Sequence, residues 1–298
     1  MDIDFIKGIM PPIFTPIDDD EKIDEGKLRR QVNHIIEGGV HAILAFGSNG
    51  EFYMVEDDET ERGLKVMLSE AKGRVPVFLG IGAIKTRKCI QLARMGSRCG
   101  AAGISILQPM FIKPNESELY DHFAAIAGSV PETPVLLYNN PGRTNYTLSA
   151  NLVVKLAENL DNLAGIKDSS GDLTQTAEFI RRTRGANFKV FGGKDTLIFG
   201  ALVHGAAGAV ATTANIFPRL VCSIYEKYRA GDWQGSLAAQ YTLNPIRLLM
   251  DQASFPVGTK DLADLMGLDA GDPFLPNRPS GANLREQMRE AIVRAGLP

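Results

Sequence analysis

The segment LAGIKDSSGD at residues 163–172 contains the transition on which the fold assignment depends. An apolar run from Leu163 to Ile166 ends at Lys167 and gives way at once to a polar turn that closes on Asp172. That order is typical of a buried parallel strand followed by a helix cap. The segment therefore predicts one strand-helix unit with a lysine at the carboxyl end of the strand.

The same alternation of a short apolar run, a turn and an amphipathic segment recurs along the chain about every 25 to 30 residues, as βα units do. It predicts strands at 8–15, 41–46, 75–80, 103–107, 134–138, 163–167, 188–191 and 208–211. It predicts helices near 24–38, 56–72, 86–99, 116–128, 149–160, 172–184, 196–204 and 217–230. Helix caps are expected at Asn115 (with Glu118), Ser149 and Asp172. Eight units without a break favour an α/β fold of the (β/α)8 TIM barrel type over an open doubly wound sheet.

The residues after the eighth unit predict a different arrangement. They contain helical patterns near 233–250, 258–267 and 282–295, interrupted by a stretch rich in proline and glycine at 271–276. We therefore predict a barrel over residues 1–231 and a C-terminal helical appendage over residues 232–298.

Composition and charge disfavour several function classes. Lys and Arg number 32 against 35 Asp and Glu, a formal net charge of -3, and no basic stripe suggests a nucleic-acid partner. The 3 cysteines form no CxxC pair and the 4 histidines no HExxH spacing, so neither a disulfide framework nor a metal or other cofactor is expected. The N-terminus lacks the features of a signal peptide, and no apolar stretch reaches the roughly 20 residues of a membrane span. We expect a soluble, cytoplasmic protein without a membrane partner.

Polar residues that follow the strands of such a barrel meet at its carboxyl end, where active sites lie. Lys167 is the first candidate, because a desolvated amine favours its neutral form and can then attack a carbonyl carbon. Tyr138 ends the preceding strand and could move protons during that chemistry. On position alone, a lysine that reaches into water and a buried tyrosine with a satisfied hydroxyl explain these residues as well.

Two loops contain candidates for anion binding. In GSNGE at 47–51, Ser48 and Asn49 stand between glycines, where backbone N–H groups can converge on a carboxylate. Arg143, in the turn NPGRT at 140–144, could pair with a second carboxylate bidentately. An ordinary turn and a surface arginine are the alternatives. The stretch GGKDT at 192–196 lacks the GxxxxGK[ST] spacing of a phosphate loop and does not predict a nucleotide site.

Four motifs together resemble the dihydrodipicolinate synthase and N-acetylneuraminate lyase family. They are GSNGE at 47–51, YNNPGRT at 138–144, GIKDSSGD at 165–172 and the stretch from Gly205 to Asn215, and the resemblance runs over nearly all of residues 5 to 295. It implies a (β/α)8 barrel with a C-terminal helical extension, assembled as a homotetramer built from dimers. It further implies that Lys167 forms an imine with pyruvate or another 2-oxo acid, and that Tyr138 is the proton donor and acceptor.

The resemblance also implies roles for five substrate-binding positions. Ser48 and Asn49 would bind the carboxylate of the 2-oxo acid, and Ser48 would join a catalytic hydroxyl relay to the tyrosine. Gly193 would line the pocket, and Val210 would supply a backbone contact near the imine. Arg143 would hold the carboxylate of the aldehyde partner, as in the synthases.

Two departures from authentic dihydrodipicolinate synthases bear on the substrate. Those enzymes carry two threonines where Ser48 and Asn49 stand, and a pair of tyrosines where this chain has Met110 and Phe111. The second tyrosine reaches across the dimer to complete a proton relay, which Phe111 cannot do because it has no hydroxyl. The loop sequence is closer to that of 4-hydroxy-2-oxoglutarate aldolases and their relatives.

We therefore expect a Schiff-base lyase, an aldolase that releases or uses pyruvate. The expected substrate is a short dicarboxylic or sugar-derived 2-oxo acid, such as 4-hydroxy-2-oxoglutarate or a 2-keto-3-deoxy sugar acid. The alternatives within the family are dihydrodipicolinate synthase, which joins pyruvate to aspartate semialdehyde, and a 2-keto-3-deoxy acid dehydratase or deaminase. A non-enzymatic 2-oxo acid binding protein is disfavoured by the intact Lys167 and Tyr138. A phosphate-binding barrel isomerase would need a glycine-rich phosphate loop, for which residues 192–194 are only a faint candidate.

Overall fold

The computed structural model describes residues 1–297 and contains an eight-stranded sheet in which each strand runs parallel to its neighbours. The strands are β1 Gly8–Ile9, β2 Ile43–Ala45, β3 Val77–Ile81, β4 Gly103–Leu107, β5 Val135–Asn139, β6 Leu163–Asp168, β7 Lys189–Gly192 and β8 Gly208–Ala209. Neighbours in the sheet follow the chain from β2 to β8, and β8 pairs with β1. A parallel bridge between Pro12 and Leu44 joins the two ends, so the sheet closes into a barrel.

Helices alternate with these strands and continue beyond the last one. They are α1 Glu25–Glu37, α2 Asp57–Ala71, α3 Thr86–Cys99, α4 Glu116–Gly128, α5 Pro141–Thr144, α6 Ala150–Asn159, α7 Leu173–Thr183, α8 Ile198–Val203, α9 Pro218–Arg229, α10 Trp233–Met250, α11 Val257–Leu265 and α12 Ala282–Arg294. Three 3₁₀ turns, Ser48–Gly50, Asp195–Leu197 and Thr212–Asn215, follow β2, β7 and β8. The predicted (β/α)8 barrel with a C-terminal helical part is confirmed. The short helix α5 was not predicted and occupies the turn expected after β5.

The predicted helix caps are present and fix where three helices begin. Asn115 accepts a hydrogen bond from the backbone of Glu118, whose carboxylate accepts one from the backbone of Asn115, which completes a capping box. Ser149 and Asp172 accept hydrogen bonds from backbone N–H groups in the first turns of α6 and α7. Asp172 caps α7 soon after β6 ends at Asp168, so the short turn at residues 169–171 stays at the mouth of the barrel.

The first strand is much shorter than predicted. Residues 8–15 were expected to form it, but β1 ends at Ile9. Pro11 and Pro12 interrupt the ladder because proline has no backbone N–H to donate. The chain still runs along β2 after them, since the Ile13 N–H donates to the Leu44 carbonyl at 3.0 Å.

Three clusters of buried apolar residues stabilise the barrel and the helices around it. The largest lies between the sheet and the helices and includes Leu137 and Ile166. The second fills the barrel interior, and the third packs α10, α11 and α12 against the barrel around Phe14, Ile246 and Leu262. The C-terminal helices therefore share a core with the barrel. The division of the chain at residue 231 stays a prediction.

Strand β6 contains one residue more than its neighbour β5. Val135 pairs with Leu163, but the next residue of β5, Leu136, pairs with Gly165, so Ala164 is the extra residue. The Ala164 side chain packs in the barrel interior, whereas Ile166 packs against the helices. Because a one-residue change of register turns all later side chains to the opposite face, this bulge sets the direction in which Lys167 projects.

Candidate active site

Lys167 and Tyr138 lie side by side at the carboxyl end of the barrel. They are register partners on the adjacent parallel strands β6 and β5. The Lys167 Nζ lies 4.0 Å from the centroid of the Tyr138 ring. The lysine is only 5% exposed, and none of the salt bridges within residues 1–297 involves it. The structure thus brings the two predicted catalytic residues together, with the amine unpaired by any described carboxylate.

The phenol of Tyr138 is set up for proton transfer. Its burial by itself would raise the pKa, but the positive charge of Lys167 and the hydroxyls of Ser48 and Ser169 beside it lower the pKa below its ordinary value. The Asn140 side-chain amide donates a hydrogen bond to the phenol oxygen at 2.7 Å. Since that oxygen acts as acceptor towards Asn140, its own proton remains available for a substrate.

The loop after β2 forms a 3₁₀ turn whose first residues are Ser48 and Asn49. The first N–H groups of such a turn have no acceptor within it. The side chain of Asn49 is fixed on both sides, because its amide donates to the Pro12 carbonyl at 2.9 Å and its oxygen accepts from the Thr259 hydroxyl at 2.7 Å. The Ser48 hydroxyl is buried and forms no well-oriented hydrogen bond with a described residue. The turn therefore offers donors to an anion.

A buried ion pair supports this loop from behind. The Lys260 Nζ on α11 lies 3.0 Å from the Glu51 carboxylate, and the two side chains are 3% and 0% exposed. Lys260 also donates to the Asp272 carbonyl at 2.8 Å. Burial raises the pKa of Glu51, which Lys260 opposes, and burial lowers the pKa of Lys260, which Glu51 opposes. With the Thr259 contact, this pair anchors the predicted carboxylate loop to the C-terminal helices.

The carboxyl ends of β5 and β6 are linked by several hydrogen bonds. The Asp168 carboxylate accepts hydrogen bonds from the Asn139 amide at 2.9 Å and from the Thr176 hydroxyl at 2.6 Å. It also accepts from the backbone and hydroxyl of Ser170. The Ser169 N–H donates to the Asn139 carbonyl at 2.9 Å. These bonds leave little freedom to the strand ends that carry the lysine and the tyrosine.

A cavity of about 280 Å³ opens in front of these residues. Six of the seven predicted site residues line it: Lys167, Tyr138, Ser48, Asn49, Arg143 and Gly193. The seventh, Val210, is not among the lining residues. Its side chain packs in the barrel interior and its N–H donates to the Gly192 carbonyl at 2.8 Å, because the chain is still beside β7 at this point.

Arg143 reaches the cavity from α5. Its guanidinium lies over the ring of Phe255 at 4.1 Å from the centroid. Phe255 also lines the cavity and belongs to the segment between α10 and α11. A cation over an aromatic face keeps its hydrogen-bond donors free at the edges, so the guanidinium can still bind an anion.

Sequence reasoning missed several lining residues, among them Lys194, Asp195, Thr212 and Arg247. Asp195 accepts hydrogen bonds from the backbone of Thr212 and Thr213 and lies 3.9 Å from Arg247. Lys194 and Asp195 follow the end of β7, and the rule that singled out Lys167 after β6 would have found them. Arg247 gave no such signal, because it comes from helix α10 and not from a strand end.

No group of three or more His, Cys, Asp or Glu side chains within residues 1–297 is arranged to hold a metal ion. In the same part of the chain, no helix combines the length and the apolar character that crossing a membrane requires. The acidic residues of the cavity are already engaged with hydrogen-bond donors or with arginine.

Comparison with known proteins gives a consistent result. Residues 5–295 match the Dihydrodipicolinate synthetase family. A 4-hydroxy-tetrahydrodipicolinate synthase from Methanoculleus marisnigri is 35% identical over 292 residues, which cover 97% of this chain and 99% of the relative. The enzyme of that name from Thermus thermophilus is 33% identical, with 98% and 97% covered. Among solved structures, a DHDPS from Cyanidioschyzon merolae with lysine bound has a TM-score of 0.94 at 26% identity, with 99% of each chain covered. Dihydrodipicolinate synthase from Thermotoga maritima also has a TM-score of 0.94, at 28% identity, with 98% and 99% covered.

Proposed function

The chain belongs to the dihydrodipicolinate synthetase family, and from this premise we propose that Lys167 is the residue that forms its Schiff base. Proteins of this family are class I lyases, so this protein is an enzyme that joins a lysine amine to the carbonyl of pyruvate. One observation carries the assignment of Lys167. Its amine is buried at the barrel mouth, 4.0 Å from the Tyr138 ring, in a cavity that also contains free anion donors.

The reaction would begin with attack of the Lys167 amine on C2 of the 2-oxo acid. The carbinolamine then loses its hydroxyl as water, which leaves an iminium that draws electrons from C3. Loss of a proton from C3 gives an enamine, and C3 attacks the aldehyde carbon to form the new C–C bond. Cleavage follows the same steps in reverse. Tyr138 would deliver a proton to the departing hydroxyl, take the C3 proton as a phenolate and pass that proton to the new alkoxide, with each transfer reversed in cleavage.

The 2-oxo acid carboxylate would bind in the loop after β2. Ser48 supplies a buried hydroxyl beside the Tyr138 phenol, and the backbone N–H groups of Ser48 and Asn49 head the turn. Because the Asn49 side chain is held by Pro12 and Thr259, we assign it to positioning of the loop and its N–H to binding. Ser48 would also relay protons to Tyr138. Gly193 would line the pocket, and a side chain is excluded there because a Cβ would lie 2.1 Å from the Ser169 hydroxyl. We retain Val210 as a backbone contact near the imine.

The proposed reaction differs from the cleavage of a 2-oxo acid that the sequence led us to expect. The relatives described above are named 4-hydroxy-tetrahydrodipicolinate synthases, which favours the alternative over cleavage of 4-hydroxy-2-oxoglutarate or a 2-keto-3-deoxy sugar acid. We propose that pyruvate condenses with aspartate semialdehyde, and that Arg143 holds the carboxylate of the aldehyde. Its position at the cavity, over Phe255, supports this role.

One observation favours aldol cleavage as a second candidate. Phe111, where the resemblance places a relay tyrosine, carries no hydroxyl and is 93% exposed after β4. Its backbone has a φ of 70°, an unusual value for a residue with a side chain. The relay that the resemblance assigns to dihydrodipicolinate synthesis cannot run through this position, so its proton transfers would fall to Tyr138 and Ser48. This favours a family reaction for which the resemblance implies no second tyrosine, such as cleavage of a short 2-oxo acid.

The same exposed residue supports a proposal about assembly. Phe111 and Ile112, which is 43% exposed, form an apolar projection beside the barrel mouth that suits burial against another subunit. We propose a homotetramer built from dimers. We also propose a cytoplasmic setting, in keeping with three free cysteines.

Borohydride trapping tests the assignment of Lys167. Incubation with pyruvate and sodium borohydride should add one reduced pyruvyl group, located on Lys167 by peptide mass spectrometry. Lys167→Ala should abolish the adduct, while Lys189→Ala, which removes an amine at the far end of the neighbouring strand β7, should retain it. No adduct on the wild type, or a full adduct on Lys167→Ala, would refute the proposal. Assays of aspartate semialdehyde condensation and of 4-hydroxy-2-oxoglutarate cleavage then separate the two candidate reactions.

A further inference from the structure

We propose that Lys194 is a specificity-determining residue of this active site. Together with Arg143 it forms a distal cationic subsite that selects substrates carrying a second anionic group, a carboxylate a few atoms away from the reacting carbonyl. The inference rests on the proposed function, because it requires a 2-oxo acid fixed as an imine on Lys167.

Lys194 occupies a defined place at the barrel mouth. It lies just beyond the end of β7 and precedes the 3₁₀ turn Asp195–Leu197. Its side chain is half-buried and lines the same cavity as Lys167. A Cβ built on Gly171 would lie 3.6 Å from the Lys194 Cε, so the aliphatic part of the lysine rests on the loop that follows β6. The aliphatic part of the side chain is therefore held beside the cavity.

The charges that line the cavity do not balance. Four cationic side chains face two carboxylates, those of Asp195 and Asp251. Both carboxylates lie next to the Arg247 guanidinium, that of Asp195 at 3.9 Å and that of Asp251 at 2.6 Å. Neither Arg143 nor Lys194 takes part in a salt bridge within residues 1–297. Arg143 and Lys194 are thus left without a carboxylate partner among the described residues, and the lining as a whole keeps an excess of positive charge that attracts anionic ligands.

The strand order places the backbones of Arg143 and Lys194 on either side of Lys167. Lys167 is carried by β6, Arg143 by the helix after β5, and Lys194 by the loop after β7, and β6 lies between β5 and β7 in the sheet. With the first carboxylate in the loop after β2, the rest of the substrate extends from C3 towards the space between Arg143 and Lys194. A carboxylate there gains two charge-assisted hydrogen bonds, whereas a methyl group leaves both cations without a partner.

A matched pair of 2-oxo acids tests the inference without relying on turnover. 2-Oxoglutarate and 2-oxopentanoate have the same chain length and can form the same imine, but only the first ends in a carboxylate. Borohydride trapping over a range of concentrations, read by intact-protein mass spectrometry, gives an apparent dissociation constant for each acid. The ratio of the two constants within one variant is the quantity compared.

The wild type should prefer 2-oxoglutarate, and Lys194→Met should reduce that preference roughly tenfold, the effect of losing one charge-assisted hydrogen bond. Lys194→Arg should keep most of it because the charge is retained. Lys227→Met, which removes an exposed lysine of α9 outside the cavity, is the matched control and should leave the ratio unchanged. Added salt should weaken the preference in the wild type more than in Lys194→Met.

Each contrary result has a distinct meaning. A wild type that forms the pyruvate adduct but does not distinguish the two acids would overturn the subsite while the Schiff-base assignment stands. A preference that survives in Lys194→Met would overturn the role of Lys194 and leave Arg143 as the anion holder. Absence of any pyruvate adduct would overturn the proposed function, and the subsite with it.

Discussion

Replacement of Lys260 by methionine should destabilise the protein strongly. The change removes one partner of an ion pair whose side chains are 3% and 0% exposed and leaves the Glu51 carboxylate buried without its counterion. Removal of one member of a buried pair costs roughly 3 to 5 kcal/mol, because the remaining charge keeps its desolvation penalty. Methionine is close to lysine in size, so a cavity contributes little to the loss.

The loss should depend on pH in a defined direction. Burial already raises the pKa of Glu51 above 4.5, so its contribution to stability is fully present below pH 4.5 and is lost as the pH rises through its folded value. Lys260 opposes that rise, so the pKa of Glu51 should increase further in Lys260→Met. The variant should therefore lose more stability relative to the wild type at pH 8 than at pH 5.

Urea unfolding at these two pH values, followed by circular dichroism, measures the effect. Lys65→Met breaks the exposed pair with Glu61 and should not change the midpoint measurably, since surface pairs contribute little. The double variant Glu51→Gln with Lys260→Met should recover most of the loss because no buried charge remains. A cost for Lys260→Met below about 1 kcal/mol, or one that does not vary with pH, would show that the pair behaves like a surface ion pair.

Three further predictions concern the active site. Tyr138→Phe should lower kcat by about 10²-fold. It should also remove the part of the pH–rate profile that reports titration of the Tyr138 phenol, whose pKa lies below 10.0. Thr259→Val removes the hydroxyl that donates to Asn49 at 2.7 Å. It should raise the KM for pyruvate about fivefold with little change in kcat, as steady-state kinetics would reveal. Gly193→Ala would bring a Cβ within 2.1 Å of the Ser169 hydroxyl and should prevent the borohydride adduct while the circular dichroism spectrum stays unchanged; normal trapping would contradict this.

The barrel could be predicted from the sequence because each βα unit is encoded locally. Apolar runs, helix caps such as Asp172 and the regular spacing of the units are properties of neighbouring residues. The end of β1 was wrong for a local reason too, since Pro11 and Pro12 remove donors that the apolar pattern does not register. Lys167 and Tyr138 could be found because strand ends in such a barrel face one common space.

The rest of the site depends on contacts that sequence spacing does not reveal. Arg247 lines the cavity from α10 and Thr259 contacts Asn49 from α11. The sequence pattern of a helix does not show whether such a residue faces solvent or a cavity. The pairing of Lys260 with Glu51 joins residues far apart in the chain. The sequence does not single out Lys194, because the glycines of GGKDT suggest a loop that binds phosphate through its backbone rather than through the lysine side chain.

The additional residue in β6 has a consequence for how this active site can change during evolution or engineering. Leu163 and Ile166 pack outwards while Ala164 packs inwards, so the phase of the strand is reset just before the nucleophile. Deletion of Ala164 would leave the GIKDSSGD signature intact in any alignment yet turn the amine towards the helical shell. A homologue with a lysine at the matching alignment position therefore does not necessarily form the Schiff base. The length of the strand before that lysine must be checked as well.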